Sequence, residues 1–188
     1  TIHTLIGTTG SGKTLLLKLI SSLLTLQKGR LDINGSSVSF VFQNQPFLSW
    51  LDLKKNLELS TSMQPEEMQT LLEKFKLESY LSLYPKNLSG GTAQKFNLLR
   101  AFLNRSDIIL MDEPFSHLDM VQKEDLYKFL LDLWKDYRPT IVFVTHDIDE
   151  AIYLSHSISL LSKTSKTIEK NITLKKEDKS SLSLVEER

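Results

Sequence analysis

Residues 7–14 read Gly7-Thr8-Thr9-Gly10-Ser11-Gly12-Lys13-Thr14, a complete phosphate-binding loop of the form G-x-x-x-x-G-K-[ST]. Little else in a sequence restricts a fold so strongly. The glycines allow the tight turns that aim several backbone N–H groups at one anion. Lys13 can reach the terminal phosphates, and the Thr14 hydroxyl is a ligand for Mg2+. Such a loop belongs between a strand and the helix that it opens, because the helix N-terminus adds partial positive charge to the site. The flanks agree, with apolar Leu5-Ile6 before the loop and Leu15, Leu16, Leu17, Leu19, Ile20 and Leu23 at helical spacing after it. The sequence predicts a chain that binds a nucleoside triphosphate on the cradle Gly7 to Thr14.

The rest of the composition narrows the setting. A chain of 188 residues makes one domain, or one domain carrying a small subdomain. Lys and Arg (23) balance Asp and Glu (23), so no global field recruits nucleic acid or an anionic membrane. The absence of cysteine excludes disulfides and cysteine-ligated metal, and fits a reducing compartment. No apolar run approaches the roughly 18 residues of a membrane span. The best candidate, Leu15 to Leu26, is interrupted by Lys18, Ser21 and Ser22. Membrane association is therefore expected to run through a partner. The chain opens at Thr1, just before the loop, and natural sequence is expected upstream.

Along the chain, Lys28 to Gly35 reads as strand and tight turn, with Asn34-Gly35 as a hairpin signal, and Val38 to Phe42 as a strand ending at Gln43. Residues 51–85 are polar and helical in pattern, with a start near Pro65-Glu66 and a break at Pro85. We read about 46–84 as a helical subdomain inserted in the core. A helix is predicted from Gly90-Gly91 to Leu103. The continuous apolar runs Ile108 to Met111 and Ile141 to Val144 suit parallel strands buried on both faces. Leu126, Phe129, Leu130, Leu133 and Trp134 make a core-facing helical stripe between them. Strands alternating with helices imply an α/β layer fold with a mostly parallel sheet. Residues 175–188 read as a solvated tail.

A phosphate loop alone fits kinases, GTPases, helicases and transport motors. Four later features choose among them. The strand Ile108 to Met111 ends in Asp112-Glu113, where Asp112 can hold Mg2+ and Glu113 can polarise an attacking water. Leu88-Ser89-Gly90-Gly91-Thr92-Ala93-Gln94 sets a hydroxyl and two glycines at a helix start, a second anion-binding construction. Ser116-His117-Leu118-Asp119 follows the carboxylates, and Thr145-His146-Asp147 follows the next buried strand. His146 falls where a sensor of the γ-phosphate is wanted.

Together these residues resemble the ATP-binding subunits of ABC transporters, from Ile2 to about Leu174. The matches occur in the family's order: phosphate loop Gly7 to Thr14, Q-loop Gln43, signature Leu88 to Gln94, Asp112-Glu113, D-loop Ser116 to Asp119, and H-loop His146. Val41-Phe42-Gln43 through Phe47-Leu48-Ser49-Trp50 is most similar to nitrate, sulfonate and taurine importers. The chain departs from the family's pattern at Leu15, where a hydroxyl is usual, and at Thr92 and Lys95 of the signature. The aromatic residue that stacks on adenine in the family is absent from this sequence.

The resemblance implies a P-loop NTPase core of RecA type with an inserted helical subdomain, a single ABC ATPase domain over 1–188. It implies ATP and Mg2+ as cofactors. Glu113, His146 and Gln43 would be catalytic, Thr14, Gln43 and Asp112 would hold the metal, and Ser89, Gly90, Gly91 and Asp119 would close on ATP held by a second subunit. The implied function is ATP hydrolysis powering solute import. The implied partners are a membrane permease, a second ATPase subunit in a head-to-tail dimer and a solute-binding protein, with no nucleic acid. The implied location is the cytoplasmic face of the inner membrane. Two alternatives stay open: a soluble ABC ATPase of DNA repair or translation, and an ATP-holding assembly subunit without turnover.

Overall fold

The computed structural model describes residues 1–44, 47–61 and 63–175. In chain order the elements begin with β1 (Ile2–Ile6), α1 (Lys13–Ile20), β2 (Val38–Val41), α2 (Leu53–Glu58), α3 (Pro65–Lys74), α4 (Gly90–Leu103) and β3 (Ile108–Asp112). They continue with α5 (Met120–Tyr137), β4 (Thr140–Thr145), α6 (Ile148–Leu154), β5 (Ser157–Leu161) and β6 (Ile168–Thr173). Two compact units result. The first contains Thr1–Gln43, Asp107–Pro114 and the chain from Arg138 onward; the second contains Asn44–Ser106 and Phe115–Tyr137. The expected tail lies outside the described residues except for Lys175, as does Pro46 at the start of the expected helical subdomain.

The first unit is a sheet in the order β2-β3-β4-β1-β5-β6, parallel except for the last pair. The apolar runs predicted as strands are the central strands β3 and β4, in register from Ile108 opposite Thr140 to Asp112 opposite Val144. Leu5, Leu17, Leu110, Val144 and Leu161 form a buried cluster, with Leu16, Ile20, Val38 and Phe40 packed against it. Burial of each large aliphatic side chain contributes about 1.5–3 kcal/mol. Five neighbouring parallel strands, β2-β3-β4-β1-β5, end on the same edge of the sheet, which brings together the residues that follow them.

One expectation needs correction. The turn at Asn34-Gly35 is present, with Ser36 N–H donating to Ile33 O at 2.9 Å and left-handed φ values of 51° and 72°. The strand expected before it is not. Residues 22–32 are exposed, and among the described residues no strand pairs with them. Turn chemistry is local, whereas a strand needs an edge to pair with.

The second unit is helical. Pro65 occupies the first turn of α3, where its missing N–H costs nothing. Asp52 caps α2 by accepting from Lys55 N–H at 2.8 Å, and Ser89 caps α4 by accepting from Thr92 N–H at 3.2 Å. The predicted stripe on α5 is buried at Leu126, Phe129, Leu130 and Leu133, with Trp134 half-buried. Phe129 meets Phe75 edge-on at 4.6 Å, and Phe115 meets Tyr127 at 4.9 Å. Asn56 ties the segment before α2. Its Nδ2 donates to the carbonyls of Leu48, Leu51 and Asp52, and its Oδ1 accepts from Leu48 N–H at 2.8 Å.

Candidate functional site

β1 delivers the chain to Gly7, where only glycine fits. A Cβ there would lie 2.7 Å from Leu161 O and 2.8 Å from Ser11 Oγ. Gly10 and Gly12 take φ of 79° and 105°, so the loop turns through conformations that other residues avoid. Ser11 N–H closes the turn on Thr8 O at 3.1 Å, and Leu16 N–H makes an early helical bond to Gly12 O at 2.9 Å. Thr8 and Thr9 are exposed on the loop. Lys13, 7% exposed, donates to Gly7 O at 2.7 Å and Thr8 O at 3.2 Å. Ser11 Oγ is buried with no hydrogen-bond partner among the described residues. A cleft of about 420 Å3 opens on the loop, lined among others by Thr9, Lys13, Thr14, Leu15, Lys18 and Glu113.

The end of β3 supplies the acids. Thr14 Oγ1 donates to Asp112 Oδ1 at 2.9 Å. Burial raises the Asp112 pKa above the usual carboxylate value; the Thr14 bond opposes this, Glu113 adds to it, and the charges of Lys18 and Lys13 oppose it. A carboxylate held near a hydroxyl, with its charge poorly solvated, is suited to a hard divalent cation. Among the described residues no group of three or more His, Cys, Asp or Glu converges. Thr14 Oγ1 and the Asp112 carboxylate are oxygens of the kind that suit Mg2+.

Glu113 has φ of 45°, unusual for a residue with a side chain, while its N–H donates to Val144 O at 3.0 Å. Its carboxylate lies 3.4 Å from His146 Nδ1 and 3.4 Å from Gln43 Nε2. Gln43 follows β2, Asp112-Glu113 close β3, His146 follows β4 and Gly7 follows β1. Adjacent parallel strands therefore assemble the loop, both acids, Gln43 and His146 at their carboxyl ends, where open α/β sheets bind ligands. Ser89, Gly90, Gly91 and Asp119 belong to the second unit. Ser89 Oγ also meets Thr92 Oγ1 at 2.9 Å, and Asp119 Oδ1 accepts from Gln122 N–H at 2.8 Å.

A model described as ABC transporter matches residues 1–116. The chain belongs to the ABC transporter family. It is an ATP-binding subunit of that family, whose members are ATPases. An aliphatic sulfonates import ATP-binding protein of Bacillus subtilis (strain 168) is 36% identical over 169 residues, covering 84% of this chain and 66% of that protein. A nitrate import ATP-binding protein of Synechocystis sp. is 32% identical over 183 residues, covering 90% of this chain and 69% of that protein. The chain thus spans about two thirds of the length of these ABC relatives. A dimeric ATP-binding cassette in a post-hydrolysis state, bound to ADP and Pi, superposes with a TM-score of 0.74 at 28% identity, covering 93% of this chain and 85% of that one. The ABC fold is therefore that of the P-loop NTPases, as the resemblance implied.

Sequence reasoning gave no role to three residues around the ABC loop and the helical unit. Lys18 lines the cleft one turn after Thr14, a position that helical spacing from the motif identifies. Lys166, far along the chain, touches Gly10. Asn56, a polar residue 4% exposed, is a structural anchor that carries no motif.

Proposed function

We propose that this chain is the motor subunit of an importer of the nitrate and sulfonate type, hydrolysing ATP to drive solute through a membrane permease. The observation that carries this reading is the convergence of Thr14, Asp112, Glu113, Gln43 and His146 beside the phosphate loop. In this reading the backbone N–H groups of Gly7 to Thr14 and the Lys13 ammonium hold the phosphates. Lys13 exchanges its loop carbonyls for phosphate oxygens. Thr14 and Asp112 hold Mg2+, with Gln43 at the same site, and the cation supplies neutralisation of charge on the transferred phosphoryl group. Glu113 accepts the proton of the attacking water, and His146 donates towards the γ-phosphate.

The whole of 1–188 acts as one ABC domain, with about 46–84 as its helical arm. Ser89, Gly90, Gly91 and Asp119 close on ATP held by a second subunit in a head-to-tail dimer. The region from Gln43 to Trp50, with Trp50 71% exposed, faces the permease, and a solute-binding protein serves the same system. The chain sits on the cytoplasmic face of the inner membrane through that permease; among the described residues no helix is long and apolar enough to cross a membrane.

The test is Mg2+-dependent ATP hydrolysis by the chain alone and assembled with its permease in vesicles. Stimulation by the permease, coupled to solute uptake, is expected. Absence of hydrolysis in both settings would leave an ATP-holding assembly subunit. Hydrolysis that ignores the permease would point to a soluble ABC ATPase.

A further inference from the structure

The turn between β5 and β6 reaches back over the phosphate loop at two points. At its start, Leu161 O occupies the space that a Cβ of Gly7 would need. Near its end, Lys166 Nζ donates to Gly10 O at 2.7 Å. The turn is itself well tied. Ser162 N–H donates to Thr167 O at 2.9 Å, Ser165 N–H donates to Ser162 Oγ at 3.3 Å, and Ser165 Oγ meets Thr167 Oγ1 at 2.8 Å. Lys166 takes a φ of 58° within it.

The Gly10–Ser11 peptide that Lys166 grips is held at its other end too. Its N–H, that of Ser11, donates to Thr8 O at 3.1 Å, and Thr8 O also accepts from Lys13 Nζ at 3.2 Å. One chain of hydrogen bonds thus runs from Lys166, through a single peptide of the loop, to the lysine expected on the phosphates. The bond from Lys166 polarises the Gly10–Ser11 peptide and so strengthens the donation of its N–H to Thr8 O, the carbonyl that Lys13 also shares.

We infer that Lys166 is a positioning residue for the phosphate loop, holding the Gly10–Ser11 peptide so that the loop is preorganised for the nucleotide before it arrives. Preorganisation raises affinity by removing the ordering cost at binding. Lys163, whose Cε lies 3.9 Å from the place of a Gly10 Cβ, makes no such bond and serves as an internal control for charge alone. The inference rests on the loop being the ATP site.

The experiment measures equilibrium binding of ATP to the full chain, together with amide hydrogen exchange without nucleotide. Lys166→Met is expected to weaken ATP binding about fivefold, the net effect of one ordinary hydrogen bond at an exposed position. Exchange at residues 8–12 should quicken while the rest of the first unit is unchanged. Lys166→Arg, which keeps the donor, should bind within about twofold of the parent, and Lys163→Met should do the same. Lys166→Gln, a smaller perturbation, gives the same reading if the Met variant does not fold. Unchanged affinity and exchange in the variants at 166 would overturn the inference. Equal losses in Lys163→Met and Lys166→Met would overturn it in favour of simple charge attraction. Lys13→Ala separates the two readings: binding that survives this change refutes the loop as the ATP site, whatever Lys166 does.

Discussion

Glu113 presents its carboxylate from a left-handed backbone position, φ 45°, fixed by the bond from its N–H to Val144 O. Such a conformation costs on the order of 1 kcal/mol or more and persists where the surroundings dictate it. Here it turns the side chain towards both His146 and Gln43. Glu113→Gln is expected to retain ATP binding and to lose about 100-fold or more in hydrolysis, since an amide takes no proton from water. Near-normal turnover in a steady-state phosphate-release assay would remove Glu113 from that role. Asp112 makes a different prediction. Its folded pKa is raised, so the folded state holds the proton more tightly than the unfolded state does. Stability without nucleotide should then fall as pH rises from the ordinary carboxylate pKa through the raised one, and the ionised form at neutral pH is a net cost. Asp112→Asn should flatten that part of the curve and raise the Tm at pH 7, while abolishing Mg2+-dependent hydrolysis. A lower Tm for the variant across the whole range would contradict the assignment.

Elements were legible where local chemistry decides them. The loop between β1 and α1 carries its own glycines, Pro65 marks the first turn of α3, and Ser89 marks the start of α4. The strand expected before Asn34 was misread because its turn residues speak for themselves, whereas pairing depends on an edge elsewhere. The contact from Lys166 to Gly10 spans 156 positions, and no spacing rule reaches that far. Asn56 was silent for a related reason. A lone Asn in a polar helix looks like a solvated residue, yet it answers three carbonyls and an N–H around Leu48 to Asp52. Asn56→Ala is expected to cost about 2–3 kcal/mol in denaturant unfolding, because those buried groups lose their partner. ATP affinity of the loop should stay within about twofold, since Asn56 and the loop belong to different compact units. If the segment meets the permease, coupled transport should fail before ATP binding does.

At the scale of the whole molecule, the signature and the phosphate loop lie in different compact units of one chain. A shared site in a dimer predicts complementation. A Cβ at Gly90 would meet only Leu118 Cδ2 at 3.7 Å, so Gly90→Asp should fold, while its carboxylate repels a γ-phosphate offered by the partner. Alone, Gly90→Asp and Lys13→Ala should each be inactive. Mixed, they should recover part of the hydrolysis, since one of two composite sites is intact. No recovery in proven mixed dimers, and no ATP-dependent crosslink between Ser89→Cys and Thr9→Cys subunits, would refute the head-to-tail arrangement.

The place of β1 in the sheet also governs when that sheet can close. Ile2 pairs with Ile141, and His3 pairs with Ser157, so β1 waits for partners made much later in the chain. Sheets closed by such distant pairings form slowly. On the ribosome, at about 5–20 residues per second, β1 must stay unpaired for several seconds while the rest is made. Leu161 and Lys166, which bracket the phosphate loop, emerge later still. A nascent chain halted before them has the whole glycine motif without the two groups that touch it from the far side, so nucleotide binding during synthesis would report that β5 and the turn after it have arrived.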